Sequence, residues 1–140
     1  MTNDTRLIRI LCVDDHPLLR SGIAALLATQ PDMEMVGEAS SGNEAVQMHR
    51  RLNPDVTLMD LQMPDMSGLE LVEKMNELGL SLPTIFMTAH ADPMLMVEIS
   101  KRDSMDLLEK PFTGDALIDA VRKVTQGWIA NGGDPRKCCR

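Results

Sequence analysis

The segment Val56-Thr57-Leu58-Met59-Asp60-Leu61-Gln62-Met63-Pro64-Asp65-Met66-Ser67-Gly68 decides the fold of this chain. Its apolar run ends abruptly at the carboxylate of Asp60, and the residues that follow, which include Pro64 and Gly68, cannot continue a strand. In an open α/β sheet, ligands bind in the crevice beyond the carboxyl ends of the parallel strands. We therefore expect Asp60 to point into a functional site at the end of a buried strand.

Apolar runs of strand length alternate with helical patterns along the rest of the chain. The predicted strands are Ile8 to Val13, Met33 to Ala39, Val56 to Asp60, Thr84 to Thr88 and Met105 to Glu109. The predicted helices run from Pro17 to Gln30, Ser41 to Leu52, Ser67 to Gly79, Asp92 to about Arg102, and Thr113 or Gly114 past Trp128. The pairs Ser41/Glu44 and Ser67/Glu70 match the capping box, in which both side chains bind backbone N–H groups at a helix start.

This alternation predicts the architecture. Strands that alternate with helices through short connections form parallel βαβ units with right-handed crossovers. Five such units predict an α/β fold with a doubly wound parallel sheet in the order 2-1-3-4-5, a flavodoxin-like three-layer sandwich. We interpret Met94, Met96 and Met105 as positions in the core of this fold, with a contribution to a partner surface as the alternative.

Length and charge describe one acidic domain. The 140 residues suffice for a single domain, which we place at residues 7–127, with 128–140 as a tail or the start of a linker. The net charge of -7 argues against a general basic surface for nucleic acid, so DNA contact would need a different segment. The chain has no apolar run of membrane length, and Met1 to Leu7 are too polar for a signal peptide. These features favour a cytoplasmic protein without membrane contact.

Polar residues stand at the carboxyl ends of four predicted strands. Asp14 and Asp15 follow the first, Asp60 ends the third, Thr88 ends the fourth and Lys110 follows the fifth. In the order 2-1-3-4-5 the first and third strands are neighbours, so three carboxylates should share one pocket. Close carboxylates repel one another and raise one another's pKa unless a cation joins them. A hard divalent ion with oxygen ligands resolves this conflict, and Mg²⁺ fits best.

The same residues fit phosphoryl transfer. An aspartate such as Asp60 can act as a nucleophile and form an acyl phosphate. The metal, the Lys110 ammonium and the Thr88 hydroxyl would neutralise and hold the oxygens of the transferred group. An aspartate-nucleophile phosphohydrolase would use similar residues, but it normally needs a second acid two positions after the nucleophile, where this chain has Gln62.

Several separate motifs resemble the receiver domain of bacterial two-component response regulators, which has a CheY-like fold. They are Asp14-Asp15, Asp60-Leu61-Gln62-Met63-Pro64 with Ser67-Gly68, Thr88-Ala89 and Lys110-Pro111-Phe112. The stretches from Ile10 to Pro17 and Val36 to Ala39 are similar to NarL-type regulators, whereas Asp106 to Phe112 looks more like the FixJ type. The resemblance covers residues 7–127.

The resemblance implies a role for each motif residue. Asp60 would be the phosphoacceptor, and Asp15, Asp60 and the backbone carbonyl of Gln62 would bind Mg²⁺ directly, while Asp14 would act mainly through water. Thr88 would bind the phosphoryl group and Lys110 would pair with it. A cis peptide bond before Pro111 is also common in the family. His16 and His90 we interpret as residues at the edge of the site, and His90 is a candidate for influencing hydrolysis of the acyl phosphate.

The resemblance also implies a function as a switch. A sensor histidine kinase would supply the phosphoryl group, and the domain would not be an enzyme beyond its own phosphorylation and dephosphorylation. The surface of helix 4, strand 5 and helix 5 would then bind a partner or a second copy and control a transcriptional output. NarL and FixJ types usually carry a C-terminal helix-turn-helix domain that these residues lack, so we expect a truncated regulator or a free-standing receiver.

An alternative is a receiver that acts as a constitutive interaction module. Leu107 stands where many receivers have an aromatic switch residue, and Asp103-Ser104 stand where a glycine-containing turn is common. Both departures lie outside the phosphorylation motifs, so the alternative concerns switching rather than chemistry.

Overall fold

The computed structural model describes residues 7–80, 83–90, 92–101 and 105–130, apart from the side chains of residues 100 and 127–130. Within these ranges, five strands and five helices alternate. The strands are β1 (Ile8–Val13), β2 (Met33–Ala39), β3 (Val56–Asp60), β4 (Thr84–Thr88) and β5 (Met105–Glu109). The helices are α1 (Pro17–Ala28), α2 (Gly42–Leu52), α3 (Gly68–Glu77), α4 (Pro93–Ser100) and α5 (Gly114–Ala130). The predicted bounds of all five strands are confirmed.

The strands form one parallel sheet in the order β2-β1-β3-β4-β5, which confirms the predicted fold class. Every residue of β3 and β4 is buried, whereas β2 and β5 at the two edges are partly exposed. Continuous apolar runs are therefore found where helices cover both faces of the sheet. The pairing of Val13 with Met59 brings the ends of β1 and β3 together.

Two hydrophobic cores lie on opposite faces of the sheet. On one face, alternate strand residues pack against α1 and α5; this group includes Ile10, Cys12, Leu58, Ile23 and Val121. On the other face, the intervening strand residues pack against α2, α3 and α4; this group includes Leu11, Val13, Met59, Leu71 and Ile99. Successive side chains of a strand point to opposite faces, so one apolar run supplies both cores. The result is the expected three-layer sandwich.

The helix ends agree with prediction in part. The capping box of Ser67 and Glu70 is present. At α2 the capping box was wrong in one half, because Ser41 accepts from the N–H of Glu44 but the Glu44 carboxylate binds Ser40 instead. Ser40 directly precedes the N-cap, so the glutamate reaches past Ser41 to the exposed residue that follows β2.

Several other boundaries differ from prediction. Helix α1 ends two residues before Gln30, and α3 ends at Glu77 ahead of Gly79, which has a φ of 75°. Helix α5 continues to Ala130, past the expected domain boundary at residue 127. The domain boundary itself stays a prediction. Arg102, Asp103-Ser104, the tail from residue 131 and the Trp128 side chain lie outside what the structure describes.

The core assignment of two methionines was wrong. Met94 and Met96 on α4 are 82% and 48% exposed, and Met105 is half-buried. Helix α4 is mostly apolar and only eight residues long, so its outer apolar residues remain at the surface. No helix in the described ranges has the length and apolar character needed to cross a membrane.

Candidate functional site

Three carboxylates and one ammonium group meet at the carboxyl ends of the strands. Asp14 and Asp60 directly follow and end the paired strands β1 and β3, and both are buried. The Lys110 Nζ lies 3.1 Å from Asp14 Oδ2 and 3.7 Å from Asp60 Oδ2. Asp15 completes the group and is half-buried. The sheet order therefore assembles these four predicted site residues in one pocket.

Burial and like charge act on Asp60. Burial raises the pKa of the Asp60 carboxyl above its ordinary value, and the neighbouring carboxylates of Asp14 and Asp15 act in the same direction. The backbone N–H of Gln62, which donates to Asp60 Oδ1 at 3.1 Å, and the ammonium of Lys110 act against this rise without cancelling it. The folded protein thus holds an ionised Asp60 at a cost in free energy.

His16 lies over the carboxylates, closer than the edge position that the sequence predicted. Its Nδ1 lies 2.7 Å from Asp14 Oδ1, 3.1 Å from Asp15 Oδ1 and 3.9 Å from Asp60 Oδ2, while the side chain is 63% exposed. Its backbone N–H also donates to Asp14 Oδ1. The position of His16 directly after two strand-end acids was the available signal, but it does not reveal where the ring points.

Arg20 is a contributor that sequence reasoning missed. Its guanidinium donates to the backbone carbonyl of Asp14 and, through Nε, to the Glu38 carboxylate at 2.8 Å. Arg20 lies one turn into α1, so it connects the start of this helix to the ends of β1 and β2. It therefore holds the backbone that presents Asp14.

The donor set suits a hard divalent cation. One ligand atom from each of Asp14, Asp15, His16 and Asp60 lies within 4.8 Å of the others. Asp15 Oδ1 is buried and accepts no hydrogen bond from the described residues, although His16 Nδ1 lies 3.1 Å from it. Clustered carboxylate oxygens are the donors that Mg²⁺ and Ca²⁺ prefer. The oxygen donors of the pocket therefore suit a divalent cation, which would also offset the repulsion among the carboxylates.

Thr88 lies near Lys110 but has other partners. The Lys110 N–H donates to the Thr88 carbonyl at 2.7 Å, which joins the ends of β4 and β5. The buried Thr88 hydroxyl contacts the backbone of His90, accepting from its N–H at 3.1 Å and donating to its carbonyl at 3.2 Å. The His90 side chain is exposed. The peptide bond between Lys110 and Pro111 is cis, as the resemblance implied.

Comparison with known proteins identifies the class. The chain matches the response regulator receiver domain over residues 10–122, so it belongs to this family. The proteins that it resembles include the regulators NarL and LiaR and a two-component response regulator of the LuxR family.

Two relatives give the degree of similarity. The chain is 36% identical over 118 residues to the nitrate/nitrite response regulator protein NarL of Escherichia coli strain K12, covering 84% of this chain and 55% of that protein. It is 38% identical over 122 residues to the transcriptional regulatory protein LiaR of Bacillus subtilis strain 168, covering 86% of this chain and 57% of that protein. The chain thus spans a little over half the length of these curated relatives.

Solved structures agree on the fold. The response regulator domain of Thermotoga maritima CheB has a TM-score of 0.76 and 27% identity, covering 86% of this chain and 98% of that chain. A two-component response regulator of the LuxR family from Aurantimonas sp. SI85-9A1 has a TM-score of 0.78 and 26% identity, covering 86% of each chain. The CheY-like fold is therefore confirmed independently of the sheet order.

Proposed function

We propose that this receiver domain is a phosphorylation-dependent switch in which Asp60 takes a phosphoryl group from a sensor histidine kinase, with Mg²⁺, and later loses it by hydrolysis. The observation that carries the proposal is the buried Asp60 carboxylate, held between Asp14 and the Lys110 ammonium where β1 and β3 end. Membership of the receiver family supports the same reading.

Each side chain has a task in this reaction. An Asp60 carboxylate oxygen attacks phosphorus, the new O–P bond replaces the P–N bond of a phosphohistidine, and the departing imidazole takes up a proton. Asp14, Asp15, Asp60 and the Gln62 carbonyl would hold the ion, which supplies positive charge to the phosphoryl oxygens. The Lys110 ammonium supports the same oxygens. Hydrolysis reverses the modification when water attacks the acyl phosphate.

Thr88 would transmit the modification. Its hydroxyl is engaged with the backbone of His90 in the turn that leads to α4. A phosphoryl group on Asp60 would compete for this hydroxyl and so change the turn. The phosphoryl group shifts the equilibrium only as far as it binds one arrangement better than the other.

The face of α4, β5 and α5 is the proposed partner surface. Three exposed apolar side chains on α4, those of Met94, Met96 and Val97, support this assignment. A second copy of the domain or another protein would cover them after phosphorylation. Control of transcription would require a DNA-binding domain beyond these residues, and the protein would act in the cytoplasm.

The test compares Asp60→Asn with the parent domain. Both are incubated with acetyl phosphate and Mg²⁺, and intact mass is used to count phosphoryl groups. We expect one group on the parent and none on the variant, while Asp119→Asn on the exposed side of α5 should behave like the parent. Phosphoryl label retained by Asp60→Asn contradicts the assignment.

A second candidate is a constitutive interaction module, which Leu107 favours. This half-buried residue packs against the core beneath α2, α3 and α4, where an aromatic switch residue is common in receivers. If phosphorylation occurs but leaves the oligomeric state and the amide spectrum of residues 88–110 unchanged, this candidate is supported. Steady turnover of a phosphate ester would instead support the phosphohydrolase. That class normally has an acid at the position that Gln62 occupies here.

A further inference from the structure

The loop of residues 61–67, between β3 and α3, carries the proposed carbonyl ligand of Gln62. Its base is closed by a bridge between Gln62 and Ser67 and by the Gly68 N–H, which donates to the Leu61 carbonyl at 2.9 Å. Gly68 is required at this closure, because a Cβ there would lie 2.9 Å from the Asp60 carbonyl oxygen. The base of the loop is therefore held firmly beside the phosphoacceptor.

The tip of the loop is held by a different contact. Both oxygens of Asp65 accept hydrogen bonds from the start of α2, Oδ1 from the Gly42 N–H at 2.9 Å and Oδ2 from the Asn43 N–H at 3.0 Å. A helix start has free N–H groups and a favourable field for an anion. These bonds hold the pKa of the Asp65 carboxyl below its ordinary value. Met66 adds a packing contact, since a Cβ on Gly42 would lie 2.5 Å from its Cγ.

Burial contributes little to holding this tip. Gln62, Pro64 and Asp65 are all exposed, and Met63 and Met66 are only partly buried. A loop that is free before an ion binds must be ordered during binding, and the lost freedom weakens affinity. The contact with α2 removes part of that freedom beforehand.

We propose that Asp65 is a positioning residue for the metal site, because it ties the loop to α2 and so holds Gln62, whose N–H donates to Asp60 Oδ1, in place before the ion binds. The inference rests on the proposed function, in which Gln62 is a metal ligand. Asp65 itself does not touch the ion. Its effect is expected on metal affinity, with a smaller effect on the stability of α2, which has its own N-cap in Ser41.

The experiment measures Mg²⁺ affinity through the amide resonances of Leu61 and Gln62 in the parent, Asp65→Ala and Asp65→Asn. We expect Asp65→Ala to raise the Kd for Mg²⁺ about three- to tenfold, the change expected from the net loss of a hydrogen bond. Asp65→Asn should give a smaller increase, because asparagine keeps one acceptor and is also a good helix cap. Equal weakening in both variants would assign the effect to charge alone and would overturn the proposal.

Ser41→Ala is the matched control. It removes the other side-chain cap of α2, in which Ser41 Oγ accepts from the Glu44 N–H, and leaves the loop contacts in place. We expect it to lower the stability measured by urea unfolding without changing the Kd for Mg²⁺. If it weakens Mg²⁺ binding as much as Asp65→Ala at an equal loss of stability, Asp65 acts only through α2 and the proposal is wrong.

A metal-free measurement separates this inference from the proposed function. Asp65→Ala should speed amide hydrogen exchange at Gln62 and Gly68 in EDTA, whether or not the parent binds Mg²⁺ or becomes phosphorylated. Failure of Asp60→Asn to weaken Mg²⁺ binding would count against the metal assignment. Unchanged exchange in Asp65→Ala would count against the anchoring role, even in a domain that phosphorylates normally.

Discussion

Asp60→Asn should stabilise the metal-free domain, although it removes the reactive residue. Burial and the carboxylates of Asp14 and Asp15 raise the pKa of Asp60. A group whose pKa is higher in the folded protein than in the unfolded chain stabilises the fold at pH values below its unfolded pKa. This stabilisation is lost as the pH rises through the folded pKa. At neutral pH the ionised Asp60 therefore destabilises the fold, and an uncharged amide removes this cost.

The size of the effect follows from the distances. One carboxylate oxygen of Asp14 lies within 4.8 Å of one of Asp60, so at an effective dielectric constant of about 20 their charges repel by at least about 3.5 kcal/mol. The side chain of Asp15 is 34% exposed, and solvent screening reduces its share to about half. Attraction by Lys110 at 3.7 Å offsets about 4.5 kcal/mol. Burial of the charged carboxylate acts in the same direction as the repulsion, so the balance predicts an increase of at least about 1 kcal/mol in the free energy of unfolding.

Mg²⁺ should remove this advantage. An ion that binds only the folded state adds about 2.7 kcal/mol at a concentration one hundred times its Kd. Asp60→Asn lacks one proposed ligand, so it should gain less stability than the parent at the same Mg²⁺ concentration. Asp60→Asn is expected to be more stable than the parent in EDTA. In Mg²⁺ the difference in the free energy of unfolding should disappear or change sign.

Urea unfolding followed by far-ultraviolet circular dichroism measures both conditions. Glu34→Gln, on the exposed side of the edge strand β2, is the control for loss of one negative charge from an acidic protein. It should change stability by less than about 0.5 kcal/mol in either condition. The reasoning is refuted if Asp60→Asn is less stable than the parent in EDTA, or if Mg²⁺ stabilises both proteins equally.

Three further predictions test the core, the loop closure and the ammonium group. His49 is buried without a hydrogen-bond partner for either ring nitrogen among the described residues, and burial lowers its pKa. Stability should therefore fall as the pH drops below about 6.5, by at most about 1.4 kcal/mol per pH unit, and His49→Leu should reduce this fall in urea unfolding. Gly68→Ala places a Cβ 2.9 Å from the Asp60 carbonyl oxygen, so it should cost about 1–3 kcal/mol and slow phosphorylation by acetyl phosphate. Lys110→Gln leaves buried Asp14 without its cation and should cost about 1–3 kcal/mol in EDTA, with a larger recovery in Mg²⁺ than the parent shows.

Each of these variants has a contradicting outcome. Gly22→Ala is the control for Gly68→Ala, because nothing lies within 4 Å of its added Cβ. Equal stability changes in the two glycine variants would contradict the close approach at Gly68. Lys123→Gln, at a side chain that is 70% exposed, is the control for Lys110→Gln, and an equal loss of stability in both variants would contradict the role of Lys110 beside Asp14. A pH dependence that is unchanged in His49→Leu would assign the acid sensitivity to other groups.

The apolar pattern of the sequence was sufficient to predict the strands, their order and the assembly of the acidic pocket. Strands β3 and β4 are buried along their whole length, so their apolar runs carry a strong signal with sharp ends. Asp60 ends one of these runs, whereas Asp14 follows β1 and Lys110 follows the partly exposed strand β5. Parallel strands place all their carboxyl ends at one edge, so topology alone brings these residues together.

The contacts between side chains of separate segments could be learned only from the three-dimensional packing. The His16 ring lies over three carboxylates, Asp65 binds the start of α2 from 22 and 23 positions away, and Met94 and Met96 face outward. Local patterns record the period of a helix or strand, but they do not record how layers pack or how a loop folds back. Those contacts depend on distances between elements that are set when the two cores form on opposite faces of the sheet.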